Sequence, residues 1–123
     1  ILKGDKDVAL HEFLAAYQFN NNDIDLIETI AVQLESAKDN MKACEFYERL
    51  VTIDSNNTNA LQKLAIFRES LGDYQMAFEY LERLKNIDPR NQFVSENYEL
   101  YKNKAENGRN FMSFIKSIFG KKM

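Results

Sequence analysis

The sequence predicts an all-α protein built from repeated, antiparallel pairs of helices. Three observations lead to this fold class: an internal period of 34 residues, apolar residues at helical spacing, and turn-forming residues between the predicted helices. With 123 residues, of which 45% are hydrophobic and 28% charged, the chain has the size and composition of one soluble globular domain. We therefore expect a packed helical core.

The internal repeat is clearest between residues 24–57, the first full repeat, and residues 58–91, the second full repeat. Twelve of the 34 aligned positions are identical, whereas unrelated segments would share about two. The preceding segment, 1–23, aligns with the second half of a repeat. The chain therefore opens with a half repeat that precedes two full ones.

Each full repeat is predicted to hold two helices. In the first helix apolar residues recur at helical spacing, as at Ala60, Leu64 and Phe67. In the second helix an alanine recurs at Ala43 and Ala77, where a methyl side chain allows two helices to approach closely. Larger residues follow one turn later, so the two helices of a repeat are expected to pack against each other.

Turn residues mark the helix ends of the second full repeat. Gly72 can adopt the left-handed conformation that ends one helix, Asp73 can cap the next, and Pro89 cannot continue it. The first full repeat has Lys38 and Ser55 in place of the glycine and the proline. We expect its turns to be less rigid and its helices to be retained.

A 34-residue unit with LGDY at 71–74, a following alanine and IDP at 87–89 resembles the tetratricopeptide repeat (TPR) family. The resemblance covers residues 1–107 and implies a right-handed superhelical solenoid of antiparallel helix pairs, with a capping helix and a short amphipathic tail helix at its C-terminus. The predicted TPR domain consists of the half repeat 1–23, the repeats 24–57 and 58–91, and the capping helix 92–107.

The C-terminal part of the chain departs from the repeat. The position where a repeat carries alanine holds Phe111, and the capping helix is expected to close near Asn107 and Gly108. Residues 108–123 are therefore predicted to form a separate, basic and amphipathic tail.

In the solenoid that the resemblance implies, the first helices line a concave wall, so ligand-facing residues recur at the repeat period. One row of this wall is apolar, and the rows beside it are acidic or neutral. The predicted partner-binding groove consists of Asp25, Glu28, Val32, Glu35, Asn59, Gln62, Ile66, Glu69, Phe93, Glu96 and Leu100. The alternative is that neighbouring helices cover the aliphatic row.

An apolar row between acidic rows predicts a protein or peptide partner with apolar anchors and basic flanks. Some TPR domains grip the C-terminal carboxylate of chaperone tails with Lys and Asn side chains, but the matching positions here hold Glu28 and Val32. Because Glu28 would repel a carboxylate, we expect no chaperone-tail binding. The predicted function is a non-enzymatic adaptor or scaffold; the alternative is a self-assembling scaffold or a membrane-surface protein that uses the tail.

Charge is divided unequally along the chain. Residues 1–107 hold 12 basic and 19 acidic residues, a net charge of −7, and residues 108–123 hold four basic residues and no acid, a net charge of +4, which together give −3. Nucleic-acid binding needs clustered Lys and Arg to contact phosphates, so an acidic domain predicts no nucleic-acid partner.

The tail has an apolar stripe at helical spacing. Its predicted interaction residues are Phe111, Phe114, Ile115, Lys116, Ile118 and Phe119. Three roles are open: the tail folds back over the last helix, it lies on an anionic membrane, or it docks into an acidic groove. A short hinge allows little reversal, so docking into a neighbouring molecule, and hence self-association, is the interaction that we predict.

Little in the sequence indicates catalysis. His11 lies opposite Glu45 and Glu79 on the outward, charged side of the second helices, where a solvated histidine is expected. Cys44 is predicted to be an apolar filler. One Cys and one His cannot build a zinc site, and no glycine-rich phosphate loop is present. We therefore predict no enzyme activity, metal or cofactor.

The location of the protein is expected to be cytoplasmic, and peripheral to a membrane if the tail binds lipid. A lone cysteine excludes an internal disulfide and is typical of a reducing compartment, although a periplasmic location stays open. The chain begins with Ile1 rather than Met, so we expect it to be part of a longer protein.

Overall fold

The structure is a computed structural model that describes the backbone of residues 3–120 and the side chains of residues 8–120. Each secondary-structure element assigned in this range is an α-helix. The six helices are α1 (Lys3–Phe19), α2 (Ile24–Ser36), α3 (Asn40–Ile53), α4 (Thr58–Ser70), α5 (Tyr74–Ile87) and α6 (Gln92–Phe119). The predicted all-α fold is confirmed.

The chain divides into two compact units, Ile1–Leu64 and Ala65–Met123, with the boundary inside α4. In the first unit α2 packs against both α1 and α3, and in the second unit α5 packs against α6. The helix pair predicted for the first full repeat, α2 with α3, is therefore present, and the pairing of α4 with α5 in the second full repeat stays a prediction.

Five helices begin at an Asp or Asn whose side-chain oxygen accepts a hydrogen bond from the backbone N–H three residues later. Such a cap satisfies one of the free N–H groups at a helix start. The five pairs are Asp23–Leu26, Asp39–Lys42, Asn57–Ala60, Asp73–Met76 and Asn91–Val94, with donor–acceptor distances between 3.0 and 3.4 Å. The caps at Asn57 and Asp73 begin the two helices of the second full repeat, and the cap at Asn91 begins α6.

The core of each unit consists of the apolar faces of its helices. Ala43 and Ala77, the two alanines in equivalent positions, are both buried, as are Tyr47 and Leu81 one turn later. The buried residues of the first unit are Ile27, Ile30, Ala31, Leu34, Ala43, Cys44, Tyr47, Leu50, Val51, Ala60, Leu61 and Leu64. Those of the second unit are Ala65, Ala77, Tyr80, Leu81, Leu84, Val94, Tyr101 and Ala105.

The predicted break at Asn107 and Gly108 is wrong, because α6 is one continuous helix of 28 residues. Glycine lowers helix propensity by about 1 kcal/mol, but it does not end a helix unless it adopts a positive φ angle, and Gly108 does not. No proline follows it in the chain. Residues 92–107 and the first part of the predicted tail therefore form a single rod.

Candidate protein-binding surfaces

The first unit carries part of the predicted groove on one face of α2. Asp25, Glu28 and Val32 lie three and four residues apart, so they project from the same side of the helix. Together with Thr29 and Gln33 they line a shallow depression of about 350 Å³. Val32 is 40% exposed although α2 contributes four side chains to the core. We call these five residues the α2 surface.

The acidic side chain at the end of this face is already paired within the first unit. Lys63 Nζ lies 3.0 Å from Glu35 Oε2, and the hydroxyl of Tyr47 donates a hydrogen bond to Glu35 Oε1 at 3.3 Å. Burial and the negative charge of Glu35 raise the pKa of Tyr47 above its usual value. Glu35 is therefore partly neutralised.

Asp25 and Glu28, in contrast, have no cationic partner among the described residues. Asn59 and Gln62, also predicted for the groove, lie on the N-terminal half of α4, with Asn59 exposed and Gln62 partly exposed. The free negative charge of the predicted site in this unit thus lies at Asp25 and Glu28.

The second unit repeats the pattern. Ile66 on α4 and Leu100 on α6 are 43% and 50% exposed. Lys104 Nζ lies 3.1 Å from Glu69 Oε1 and 4.8 Å from the ring centre of Tyr74, so the charge of Glu69 is also paired inside the unit. We call Ile66 and Leu100 the aliphatic pair of the second unit.

Two further predicted groove residues lie on α6. Phe93 is partly buried, and its ring packs edge-on against Tyr101 with 6.1 Å between the ring centres. Glu96 is exposed and accepts a hydrogen bond from Gln92 at 2.8 Å. Because its ring packs against buried Tyr101, Phe93 contributes to the core as well as to the surface. Burial, and secondarily the charge of Glu69, raises the pKa of Tyr101.

Val32, Ile66 and Leu100 share the same repeat position, and all three are exposed. The alternative that neighbouring helices cover this row does not hold for the side chains as the structure places them. That the row forms one continuous groove stays a prediction.

The side chains considered for catalysis are not among the residues of these surfaces. His11 is exposed on α1, whereas Cys44 is buried and its thiol donates a hydrogen bond to Glu48 at 3.6 Å. Within residues 8–120 no three His, Cys, Asp or Glu side chains are grouped so that they could hold a metal ion. None of the helices described combines the length and the apolarity that a bilayer span needs.

The tail residues that the sequence singles out lie on the C-terminal part of α6. Phe111, Phe114, Ile118 and Phe119 are exposed, and Ile115 is partly buried. The alternative in which the tail folds back over the last helix is therefore wrong. The tail continues α6 as the same helix and so does not turn back over it.

A depression of about 500 Å³ in the second unit, between α5 and α6, is not predicted from the sequence. It is lined by Gln75, Met76, Phe78, Glu79, Tyr80, Glu82, Arg83, Ala105 and Arg109. The signal was available, because Met76, Glu79 and Arg83 share one face of α5 by their spacing. Of these residues, Glu79 is predicted only to lie on the outward, charged side of the second helix.

Comparison with known proteins agrees with this geometry. The family model of the tetratricopeptide repeat matches residues 58–91, which is the second full repeat. No curated protein matches the chain. Among solved structures, the chain is similar to the first TPR of Spaghetti (RPAP3) bound to the HSP90 peptide SRMEEVD, with a TM-score of 0.67 and 17% identity over 82% of this chain and 80% of that one.

The resemblance to the TPR family is therefore confirmed. Residues 58–91 match the tetratricopeptide repeat, and the fold of the chain is similar to that of a TPR domain. Proteins of this class are helical-repeat modules that present surfaces to other proteins. At 17% identity the similar structure shows the fold and not the ligand.

Proposed function

We propose that the protein is a non-enzymatic adaptor that binds a protein or peptide partner through the exposed faces of its first helices. The observation that carries this proposal is the exposure of Val32, Ile66 and Leu100, between 40% and 50%, at one repeated position. At this exposure each of these aliphatic side chains keeps close to half of its surface in contact with solvent. Burying it against a partner would be favourable, because apolar surface leaves water.

Charge supports a partner with basic flanks. Asp25 and Glu28 are available on the α2 surface, whereas Glu35 and Glu69 are held by Lys63 and Lys104. We therefore expect the basic residues of the partner to contact Asp25 and Glu28 and its apolar residues to contact the exposed aliphatic row.

This preference differs from the one expected for the peptide in the similar structure. The peptide SRMEEVD ends in acidic residues and a carboxylate. Glu28 and Asp25 would repel such a ligand, and Val32 offers it no hydrogen-bond donor. The shared fold therefore does not lead us to propose the same ligand.

A peptide-display selection tests the proposal. The complete chain, immobilised, should enrich random peptides that combine apolar residues with Lys or Arg, and the synthetic peptide SRMEEVD should not displace the best of them. The variant Glu28→Lys should bind the selected peptides at least about tenfold more weakly, since a repulsion between the introduced lysine and their basic residues would replace an attraction.

The matched control for charge is Glu45→Lys, because Glu45 is an exposed carboxylate on α3, outside the α2 surface. This variant should bind the selected peptides as the unmodified chain does. Enrichment of acidic peptides, or strong binding of SRMEEVD, would contradict the proposal.

A further inference from the structure

The C-terminal part of α6 extends beyond the helix that it packs against. Lys104 contacts Tyr74, the first residue of α5, and Arg109 still lines the depression against α5, so the two antiparallel helices end their overlap near Arg109. From Gly108 to Phe119 α6 continues for about 16 Å at the usual helical rise. We call residues 109–119 the tail helix.

The tail helix has one wide apolar face. At about 100° per residue, its six apolar side chains fall within an arc of about 160°, and its polar side chains occupy the rest of the circumference. The apolar residues are Phe111, Met112, Phe114, Ile115, Ile118 and Phe119, of which only Ile115 is partly buried. The polar residues are Arg109, Asn110, Ser113, Lys116 and Ser117.

Charge on this segment has a single sign. Residues 108–123 contain Arg109, Lys116, Lys121 and Lys122 and no Asp or Glu, whereas the rest of the chain carries an excess of acid. On the helical projection Lys116 lies about 40° from one edge of the apolar arc, and Arg109 lies about 20° beyond Lys116. A flat surface with an apolar interior and an anionic outer layer would therefore contact the apolar and the basic side chains of the tail helix at the same time.

We propose that the tail helix binds an anionic lipid surface, with its phenylalanine and isoleucine side chains inserted between the headgroups and its basic side chains at the phosphates. A basic amphipathic helix of this kind lies in the plane of the interface rather than across the bilayer. This inference is independent of the peptide-binding function proposed above.

The acidic face of a second copy of the chain fits the tail helix less well. Glu35 and Glu69, which would attract its basic side chains, are already paired with Lys63 and Lys104 within their own units, so Asp25 and Glu28 on α2 are the remaining carboxylates of the α2 surface that could do so. The exposed row at Val32, Ile66 and Leu100 also offers one aliphatic side chain per repeat. A lipid interface covers the whole apolar arc.

Vesicle cosedimentation of the complete chain tests the proposal. Vesicles of phosphatidylcholine with phosphatidylserine should pellet the protein, and vesicles of phosphatidylcholine alone should not. Raising the salt concentration should weaken binding, because it screens the attraction between exposed charges.

Two variants separate the apolar and the charged contributions. Phe114→Ser should weaken binding to the anionic vesicles at least about tenfold by removing an inserted ring. Lys116→Glu should also weaken it at least about tenfold, because it removes one attraction and adds a repulsion. Both side chains are exposed, and circular dichroism should show that both variants retain their helices.

Matched controls lie elsewhere on the chain. Leu71 is 58% exposed and Phe114 59% exposed, so Leu71→Ser removes a similar apolar surface outside the tail helix and should not change binding. Lys42→Glu, on α3, is the control for charge. Either control weakening binding as much as its tail counterpart would overturn the assignment to the tail helix.

Three results would overturn the proposal: no pelleting with anionic vesicles, equal pelleting with zwitterionic vesicles, or pelleting that neither tail variant changes. A fourth concerns self-association. If the chain sediments as an oligomer without lipid, and Phe114→Ser makes it a monomer, a second copy covers the apolar arc and the lipid proposal is wrong.

Discussion

Lys38 in the first full repeat and Gly72 in the second occupy the same position in the turn between paired helices, and both have positive φ angles, 65° and 78°. The backbone hydrogen bonds around them are also alike. Asp39 N donates to Leu34 O at 2.9 Å, and Asp73 N donates to Arg68 O at 2.9 Å. One repeat thus makes with a lysine the turn that the other makes with a glycine.

The comparison shows which parts of the repeat determine its geometry. The aspartates that follow the turns cap α3 and α5 in the same way, and the alanines one turn later are buried in both repeats. Because these features are shared, the first full repeat keeps its helices without the glycine. The expected difference in rigidity stays a prediction.

The buried alanines should give the largest effect. Ala77→Leu places a branched side chain in a position with no exposed surface, and Ala43→Leu does so at a position that is 3% exposed in the first full repeat. Each substitution should lower the free energy of unfolding by about 1–3 kcal/mol through overpacking. Urea denaturation of each variant measures the change.

The control is Ala15→Leu on α1, where the side chain is exposed and the loss should stay below about 0.5 kcal/mol. Equal losses for Ala77→Leu and Ala15→Leu would show that the shared alanine does not mark a close helix contact.

A pH effect should distinguish the repeats, because buried Tyr47 in the first is replaced by Leu81 in the second. The pKa of Tyr47 is raised in the folded state, so its stabilisation is fully present below about pH 10 and is lost as the pH rises. The free-energy advantage of the unmodified chain over Tyr47→Phe should shrink by about 1.4 kcal/mol per pH unit above pH 10.

Tyr98 and Tyr101, whose pKa values are also raised, are present in both proteins and largely cancel in this difference. Urea denaturation at several pH values from about 8 to about 11 provides the comparison, because this range includes the ordinary tyrosine pKa. A difference that does not change with pH would mean that Tyr47 ionises as easily in the folded chain as in the unfolded one.

Exchanging the turn residues should give the smallest effect. Lys38→Gly should raise the free energy of unfolding by about 1 kcal/mol, because lysine is strained at positive φ and glycine is not. Gly72→Lys should lower it by a similar amount, since a Cβ there meets no atom within 4 Å and only the backbone strain remains. Differential scanning calorimetry would detect both shifts, and changes of the same sign would contradict the equivalence of the two turns.

Much of the fold could be predicted from the sequence, because the repeat period, the Asp and Asn caps and the recurring alanine are all local or periodic signals. The end of α6 was missed because glycine weakens a helix without ending it. The pairing of Glu35 with Lys63 and of Glu69 with Lys104 could not be predicted either, since the two pairs have different sequence separations.

The candidate site was predicted only in part. The exposure of Val32, Ile66 and Leu100 agrees with the helical stripe, but the spacing of residues does not show how many acidic side chains are already neutralised. The depression between α5 and α6 was not predicted, because the spacing of Met76, Glu79 and Arg83 shows that they share a face but does not show that α6 leaves a depression beside them.

The central claim is that the repeated aliphatic row binds a partner and does not belong to the core. The most direct measurement is the affinity of a display-selected peptide for the variant Ile66→Glu, obtained by isothermal titration calorimetry beside circular dichroism of the same protein. The control Met41→Glu introduces the same charge at an exposed apolar position on α3. We predict that Ile66→Glu remains folded and binds at least about tenfold more weakly, with Met41→Glu unchanged; an unfolded Ile66→Glu, or one that binds normally, would contradict the account.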